Sequence, residues 1–274
     1  MWRFALKEGG KWVLALFGAL LIAAALSALA DPGPYLAAFG NRLMAFLSLD
    51  PGRSTISGLP AARELAMHGP ATADVVLLGA LMALMLGLPL GLLLGTGGMR
   101  RATAPVIQIV SAAPVFCACL ALAYAAFHLF GIRPDTASRV TTLFLPTVAV
   151  GLAGTAAVQM ALRRAASLAQ DSPFRLGLRR LGLTAMEIER VYVAPQIFAG
   201  LLESLGEVML TLLSAAVVAE WVFQSHGIAE LFVKSVALHD WSMAAPILLV
   251  FAALTCTAEF LGRVGSRVLM RAAS

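Results

Sequence analysis

Charge is scarce in this sequence. Of 274 residues, 15 are acidic and 20 basic, 13% in all, while 60% are hydrophobic. A soluble domain is nearer half apolar and a quarter charged, so the composition excludes an ordinary water-soluble fold. Cysteine is scarcer still: Cys117, Cys119 and Cys256 all fall in apolar runs. Cys117 and Cys119 are two residues apart, which on a helix turns them to different sides, so neither zinc-ligand spacing nor a disulfide framework follows. Motifs for nucleotide or covalent chemistry are also missing. "KEGGK" at 7–11 lacks the spacing and the Ser/Thr of a GxxxxGK[ST] phosphate loop. No HExxH or G-x-S-x-G is found. These absences argue against an intramembrane enzyme and against a chain that binds ATP itself.

What is abundant is long apolar runs. Six segments reach the roughly 20 helical residues that cross a bilayer: approximately 12–30, 73–96, 104–130, 141–162, 197–221 and 243–266. With a mean hydropathy of +0.86, the expectation is an all-α integral membrane protein of six transmembrane helices. The first run follows Arg3, Lys7 and Lys11 like a signal peptide. It is long for one, and no clean small-x-small site precedes Asp31, so it reads as a retained anchor. With the N-terminus inside, fourteen Lys/Arg fall on the inner side and six on the outer. That bias puts both termini in the cytoplasm. It also explains the net charge of +5 through the lipid bilayer, with no nucleic acid as partner. Residues 1–72 read as an N-terminal helix plus an extracytoplasmic interfacial segment, and 73–274 as a five-helix core with a cytoplasmic loop at 163–196. In the outer segment, "YLAAFGNRLMAFLSL" and "AARELAM" read as short interfacial helices. Residues 222–241 read as a short helix dipping back towards the membrane. No internal repeat supports an inverted-repeat transporter.

The loop carries a polar island, "PFRLGLRRLGLTAMEIERVYVAPQ", at 173–196. Gly182 offers a break with free backbone angles, and Pro195 a helix boundary. Thr184 with Glu187 three residues later has the pattern of a capping box. Ser172 and Pro173 suit the start of another short helix over 173–181, with Arg175, Arg179 and Arg180 along one side. Two short helices hinged at Gly182 follow. From the residues alone, a loop resting on anionic headgroups and a docking element stay equally open.

Ionisable groups inside apolar helices are costly and are candidates for function. Glu203 and Glu207 lie one turn apart on the fifth helix, near mid-membrane by helical rise. They are candidates to line an aqueous path and attract a cationic group; the alternative is bonding to Ser204 and Thr211 hydroxyls or to a partner chain. Glu259 and Arg263 have the spacing of an intrahelical ion pair. His226 and His239, thirteen residues apart with no third ligand, do not make a metal site. His68 and His128 read as outer-interface residues, and Trp221 and Trp241 as part of an interfacial belt.

The glycine–proline spacing of the island resembles the loop of bacterial ABC-importer permeases that docks into their ATP-binding subunits. The detail is most similar to the B-type subunit of the dipeptide/oligopeptide/nickel family, where "PF" precedes the glycine as Pro173 and Phe174 precede Gly182. The resemblance covers most of the chain. "GRS" at 52–54, "SGLPAARELAMHGPAT" at 57–72, "GLPLG" at 87–91, "SAAPVF" at 111–116 and "LPTVAVGL" at 145–152 follow the family's order. "VVAEWVFQSHGIAELFVKSVALHDW" at 217–241 carries its glutamate as Glu220, its glycine as Gly227 and its later aspartate as Asp240. The chain departs from the pattern at "LGL", 176–178, and at Leu181, where the family has an alanine-rich stretch and a lysine.

The resemblance implies a type I importer permease in the bacterial inner membrane, paired with a second homologous permease. Two ATP-binding subunits would hold ATP and Mg, and an extracytoplasmic binding protein would deliver a peptide, a nickel or metallophore complex, or an opine. It implies ATPase coupling through Pro173, Phe174, Arg175, Arg179, Arg180, Gly182, Glu187 and Pro195, and a structural part for Glu220, Gly227 and Asp240. This chain would itself carry no cofactor, catalytic residue or metal. The alternative reading is an ion-driven secondary transporter or a channel subunit.

Overall fold

The computed structural model describes residues 2–31, 33–48, 50–95, 114–132, 139–170, 177, 178 and 180–272. Its long elements are helices: α1 (Trp2–Ser27), α2 (Tyr35–Leu47), α3 (Ala61–Gly95), α4 (Val115–Phe130), α5 (Leu145–Gln170), α6 (Ala185–Ile188), α7 (Ala194–Glu203), α8 (Leu205–Phe223), α9 (Ile228–Ala237) and α10 (Trp241–Ala272). Five stretches are long and apolar enough to cross a membrane: Leu6–Ala30, Ala61–Gly91, Val140–Ala169, Leu205–Phe223 and Trp241–Arg271. The sixth expected span, 104–130, is described only from its C-terminal part, the shorter apolar helix α4.

Three boundaries differ from the expectation. "AARELAM" is not a separate interfacial helix but the first turns of α3, which runs unbroken for 35 residues through Pro70 and Pro89. Proline is tolerated there because neighbouring helices make good the lost backbone bond. The fourth span continues past 162 to Gln170, so Arg163 and Arg164 belong to a helix rather than a loop. The fifth breaks at Ser204 (φ −90°, ψ 4°) into α7 and α8.

Two five-residue π-turns, Val140–Phe144 and Glu189–Val193, stand in the same relation to a proline two residues on, Pro146 and Pro195. In each, the residue before the proline donates to a carbonyl five residues back, Leu145 to Val140 and Ala194 to Glu189. An ordinary α-turn would drive the proline ring against a carbonyl four residues back; the wider turn relieves that clash.

The core is built on α3 and α5, which pack along their length. A Cβ added at Gly79 would lie 2.7 Å from Val150 Cγ1, at Gly87 2.8 Å from Val158 Cγ1, and at Gly91 2.5 Å from Leu162 Cδ1. The partners advance together, so the two helices run parallel. On the other face of α5, a Cβ at Gly154 would meet Leu212 Cδ2 of α8 at 2.6 Å. Small residues at these positions let backbones approach where lipid offers no hydrophobic drive for association. α1 packs on α10, with Ala23, Ala24, Phe46 and Ala245 in one cluster. Arg42 binds Asp31 through Nε at 2.8 Å and Nη2 at 2.6 Å, tying α2 to the end of α1 and holding the Asp31 carboxyl below its usual range.

Gly87→Val should cost about 1–3 kcal/mol through overpacking against Val158, read as a lower thermal midpoint in detergent. Gly18→Ala, in α1 with nothing within 4 Å of an added Cβ, should not lower that midpoint and should raise it slightly, since alanine is the better helix former.

Candidate functional site

One end of the bundle carries residues 177–193. Of the island's candidates, Pro173, Phe174, Arg175 and Arg179 lie outside the described residues. The rest form a compact bend. Gly182 has φ +86°, the left-handed region that glycine enters without penalty. The Leu183 amide reaches back to the Leu178 carbonyl at 3.3 Å, closing a Schellman-type stop in which these two side chains also share a cluster. The next helix starts on the expected capping box. The Thr184 amide and hydroxyl donate to Glu187 Oε2 at 2.8 and 2.7 Å, and the Glu187 amide returns a bond to Thr184 Oγ1 at 3.3 Å. These bonds hold the Glu187 carboxyl below the usual carboxylate range. Pro195 sits in the first turn of α7.

Leu178, Ile188 and Val193 are buried with Ala169 of α5, and Leu183, Tyr192 and Ile197 pack against them. The bend is thus stapled to α5 and α7. Its outer surface has a different character: Leu181 is 78% exposed, Met186 61% and Val191 52%, beside exposed Arg180, Glu187 and Arg190. An apolar tip rimmed by charge has the composition of a docking face. Sequence reasoning missed these three apolar residues. The available signal was their spacing of five, which is not that of a buried helical stripe.

Next to this end lies a cavity of about 520 Å³ lined by α1 (Phe4, Glu8), α5 (Arg164, Leu168), α7–α8 (Gly200, Glu203, Ser204, Glu207) and α10 (Arg263, Arg267). It brings Glu203 and Glu207 together but gives them different partners. Glu203 Oε1 accepts from Ser266 Oγ at 2.8 Å. The Glu207 carboxylate is forked by Arg164, Nη1 at 3.3 Å and Nη2 at 2.5 Å, in an exposed pair. Thr211 bonds only the Glu207 backbone carbonyl, at 2.8 Å. Arg263 pairs with Glu259, as its spacing suggested, and also with Glu8 at 2.9 Å, while Lys11 holds the other Glu8 oxygen at 2.7 Å. Glu8 escaped notice in the sequence because its second partner, Arg263, is 255 residues away.

The opposite end holds Glu220, Gly227 and Asp240. Buried Glu220 turns Oε2 to the amides of Ala229 and Glu230, both at 3.1 Å, and Thr72 Oγ1 takes the Ile228 amide at 2.8 Å. Three otherwise orphaned donors at the start of α9 are thereby satisfied, and the carboxylate faces the positive end of the helix. A Cβ on Gly227 would lie 2.1 Å from Glu220 Oε2 and 2.4 Å from Thr72 Oγ1. Asp240 caps α10 through the Met243 amide at 3.2 Å, and its Oδ2 accepts from Ser54 Oγ at 2.6 Å and the Thr55 amide at 3.1 Å. The "GRS" and aspartate motifs are therefore one contact. Among the described residues no group of three or more His, Cys, Asp or Glu is placed to hold a metal ion.

Gly182→Ala should destabilise the bend by about 1 kcal/mol, the penalty of the left-handed region, and speed amide exchange over 183–193. Because the folded Glu187 pKa is depressed, its contribution to the cap is present above the ordinary carboxylate pKa and lost as pH falls. Exchange there, corrected for the intrinsic effect of pH, should therefore quicken on acidification in wild type and not in Glu187→Ala. At the other end, Gly227→Ala should displace Glu220 and raise exchange at 228–230 without changing 183–193.

No curated protein matches the chain by sequence. A similar solved structure is described as inward-facing conformations of the MetNI methionine ABC transporter; the match covers 75% of this chain and 95% of that one, with TM-score 0.59 and 16% identity. A likeness at that identity concerns the fold. Residues 76–270 match the family described as the binding-protein-dependent transport system inner membrane component. With its membrane-spanning helices and the bend between α5 and α7, the chain belongs to that family and is a permease component of an ABC importer.

Proposed function

We propose that this permease moves a peptide or a related small solute, such as a nickel or metallophore complex or an opine, from periplasm to cytoplasm across the bacterial inner membrane. It works beside a second homologous permease, with both termini in the cytoplasm. Two ATP-binding subunits supply the energy from ATP and Mg, and an extracytoplasmic binding protein delivers the substrate. The observation that carries this reading is the 177–193 bend, a rigid and exposed apolar tip held to two core helices. Its capped ends support a coupling element in which Arg180, Gly182, Glu187 and Pro195 shape the surface offered to the ATPase. Pro173, Phe174, Arg175 and Arg179 extend that proposal to the residues before it.

Substrate would pass the polar cavity, where Glu203 and Glu207 meet a cationic group. Arg164 stands on Glu207, so an incoming cation must displace it. An exposed pair of this kind is worth about 0–1 kcal/mol, a small barrier to exchange. Glu220, Gly227 and Asp240 hold the far end of the helices in place.

Two measurements test the proposal. A cysteine at Met186 should crosslink to a co-purified ATP-binding subunit, and Leu181→Asp should abolish transport while leaving the permease folded; a native complex with no such subunit would refute the coupling role. In the reconstituted importer, Glu207→Gln should slow uptake of a cationic substrate several-fold more than that of a neutral one. Equal effects would remove the charge-selective part. The ligand carried by the cognate binding protein, identified by mass spectrometry, would give the substrate.

A further inference from the structure

The polar cavity beside the 177–193 bend is lined by three carboxylates, Glu8, Glu203 and Glu207, and three guanidinium groups, Arg164, Arg263 and Arg267. Most are already matched. Arg164 forks Glu207, while Arg263 and Lys11 hold Glu8. Two charges of opposite sign are left over. Glu203 has only the Ser266 hydroxyl, on Oε1 at 2.8 Å, and Arg263 acts on it through space without a hydrogen bond. Arg267 has no carboxylate partner among the described residues; its guanidinium carbon stands 4.4 Å from the centre of the Phe4 ring.

That stacking leaves the recognising edge of Arg267 open. Cation–π attraction engages the face of a guanidinium, whereas its N–H donors lie in the plane and point outward. Phe4 thus restrains the side chain without consuming the fork that grips a carboxylate in two parallel bonds. The opposite pole is restrained as well, since Ser266 orients Glu203 through one oxygen and leaves Oε2 free. Ser266 and Arg267 are consecutive in α10, so one turn of that helix sets both poles. The cavity's volume of about 520 Å³ falls in the range of small-molecule sites. With three charges of each sign its lining is neutral overall, which suits a dipolar molecule better than a bare cation.

We propose that Arg267 is the carboxylate-binding residue of this cavity and Glu203 its ammonium-binding one, so that the permease receives a zwitterion with both ends free, an unblocked amino acid or short peptide. This rests on the reading of the cavity as the substrate path and narrows it from any solute with a cationic group. Glu203 is engaged first, because no arginine has to leave it. A molecule without the carboxylate leaves the Arg267 fork empty, and one without the ammonium leaves Glu203 so; each forgoes a charge-assisted bond.

The test is binding of alanylalanine, alanylalaninamide and N-acetylalanylalanine to the full-length permease in phosphatidylcholine nanodiscs, followed by saturation-transfer NMR. Wild type should bind alanylalanine about tenfold more tightly than either blocked form. Arg267→Gln should weaken alanylalanine about tenfold, leave the amide unchanged and so erase the preference for a free carboxylate. Glu203→Gln should erase the preference over the acetylated form and keep that over the amide. Phe4→Leu removes the ring and keeps the charge, and it should weaken alanylalanine about threefold, giving a second reading if Arg267→Gln does not fold. Equal binding of the three ligands by wild type would overturn the site, as would a carboxylate preference that survives Arg267→Gln. Adding phosphatidylglycerol to the nanodiscs should not change the affinity for alanylalanine; displacement of the dipeptide would give Arg267 to a lipid phosphate and overturn the site too. The measurement uses neither ATPase nor binding protein. A permease that discriminates the three ligands but recruits no ATP-binding subunit would refute the coupling role alone, and the reverse outcome would refute only the two-pole site.

Discussion

The close approach of α3 to α5 sets the register of nearly everything else. Inside a bilayer two apolar helices gain little from hiding surface, since lipid tails are as apolar as leucine, and contact must come from packing. Gly79, Ala83, Gly87 and Gly91 recur every four residues and make one stripe down α3. Val150, Gly154, Val158 and Leu162 form the matching ridge on α5: an added Cβ at Gly79, Gly87 or Gly91 would fall under 3 Å from Val150, Val158 or Leu162, and one at Gly154 under 3 Å from Ala83. Gly154 also meets Leu212, which fixes α8 against the same pair. Once this register is set, Thr72 on α3 stands at the start of α9, and Arg164 on α5 stands level with Glu207. Both polar centres inherit their geometry from apolar contacts between them.

Polar groups then do what apolar packing cannot, joining segments far apart in sequence. A backbone donor left unpaired away from water costs about as much as a lost hydrogen bond, so the start of each buried helix needs an acceptor. Glu220 with Thr72 supplies α9, and Asp240 supplies α10. Each acceptor also ties in a remote segment: Thr72 brings α3, and Asp240 brings the loop at Ser54, 186 residues away. The end opposite the 177–193 bend is thus braced by side chains that were needed for capping in any case.

Local chemistry was legible in the sequence and distant contact was not. The box at Thr184 and Glu187, the left-handed Gly182, and the ion pair of Glu259 with Arg263 each involve residues within one turn, where spacing alone decides the geometry. Glu8 with Arg263 and Ser54 with Asp240 depend on how α1 and the outer loop fold onto α10, which no local pattern encodes. Proline misled in one place. Pro70 punctuates a soluble sequence, and read that way it separates "AARELAM" from the span beyond; in a helix packed by neighbours it is carried through, and α3 continues. The same chemistry was informative elsewhere, because Pro146 and Pro195 each select the widened turn before them.

The path from the 177–193 bend to the polar cavity is short and unevenly bonded. Ile188, Val193 and Ala169 pack the bend against the ends of α5 and α7, so Leu181 and Met186 stand on a segment continuous with α7. α7 lies backbone against backbone on α10, where an added Cβ at Gly262 would sit 2.0 Å from the Leu202 carbonyl oxygen. The weak point is one residue further, at Ser204, where the helix is broken and its hydroxyl turns back to the Gly200 carbonyl at 3.0 Å. On either side of that break stand Glu203, held by one hydroxyl, and Glu207, held by an exposed arginine. Both bonds are cheap to exchange compared with a buried charge pair. Backbone bonds still cross the break, from the Ser204 amide to the Gly200 carbonyl at 3.2 Å and from the Val208 amide to the Ser204 carbonyl at 3.0 Å. The two carboxylates thus stand on separate helical segments, each with its own partner, so the change of angle at Ser204 sets their relative orientation.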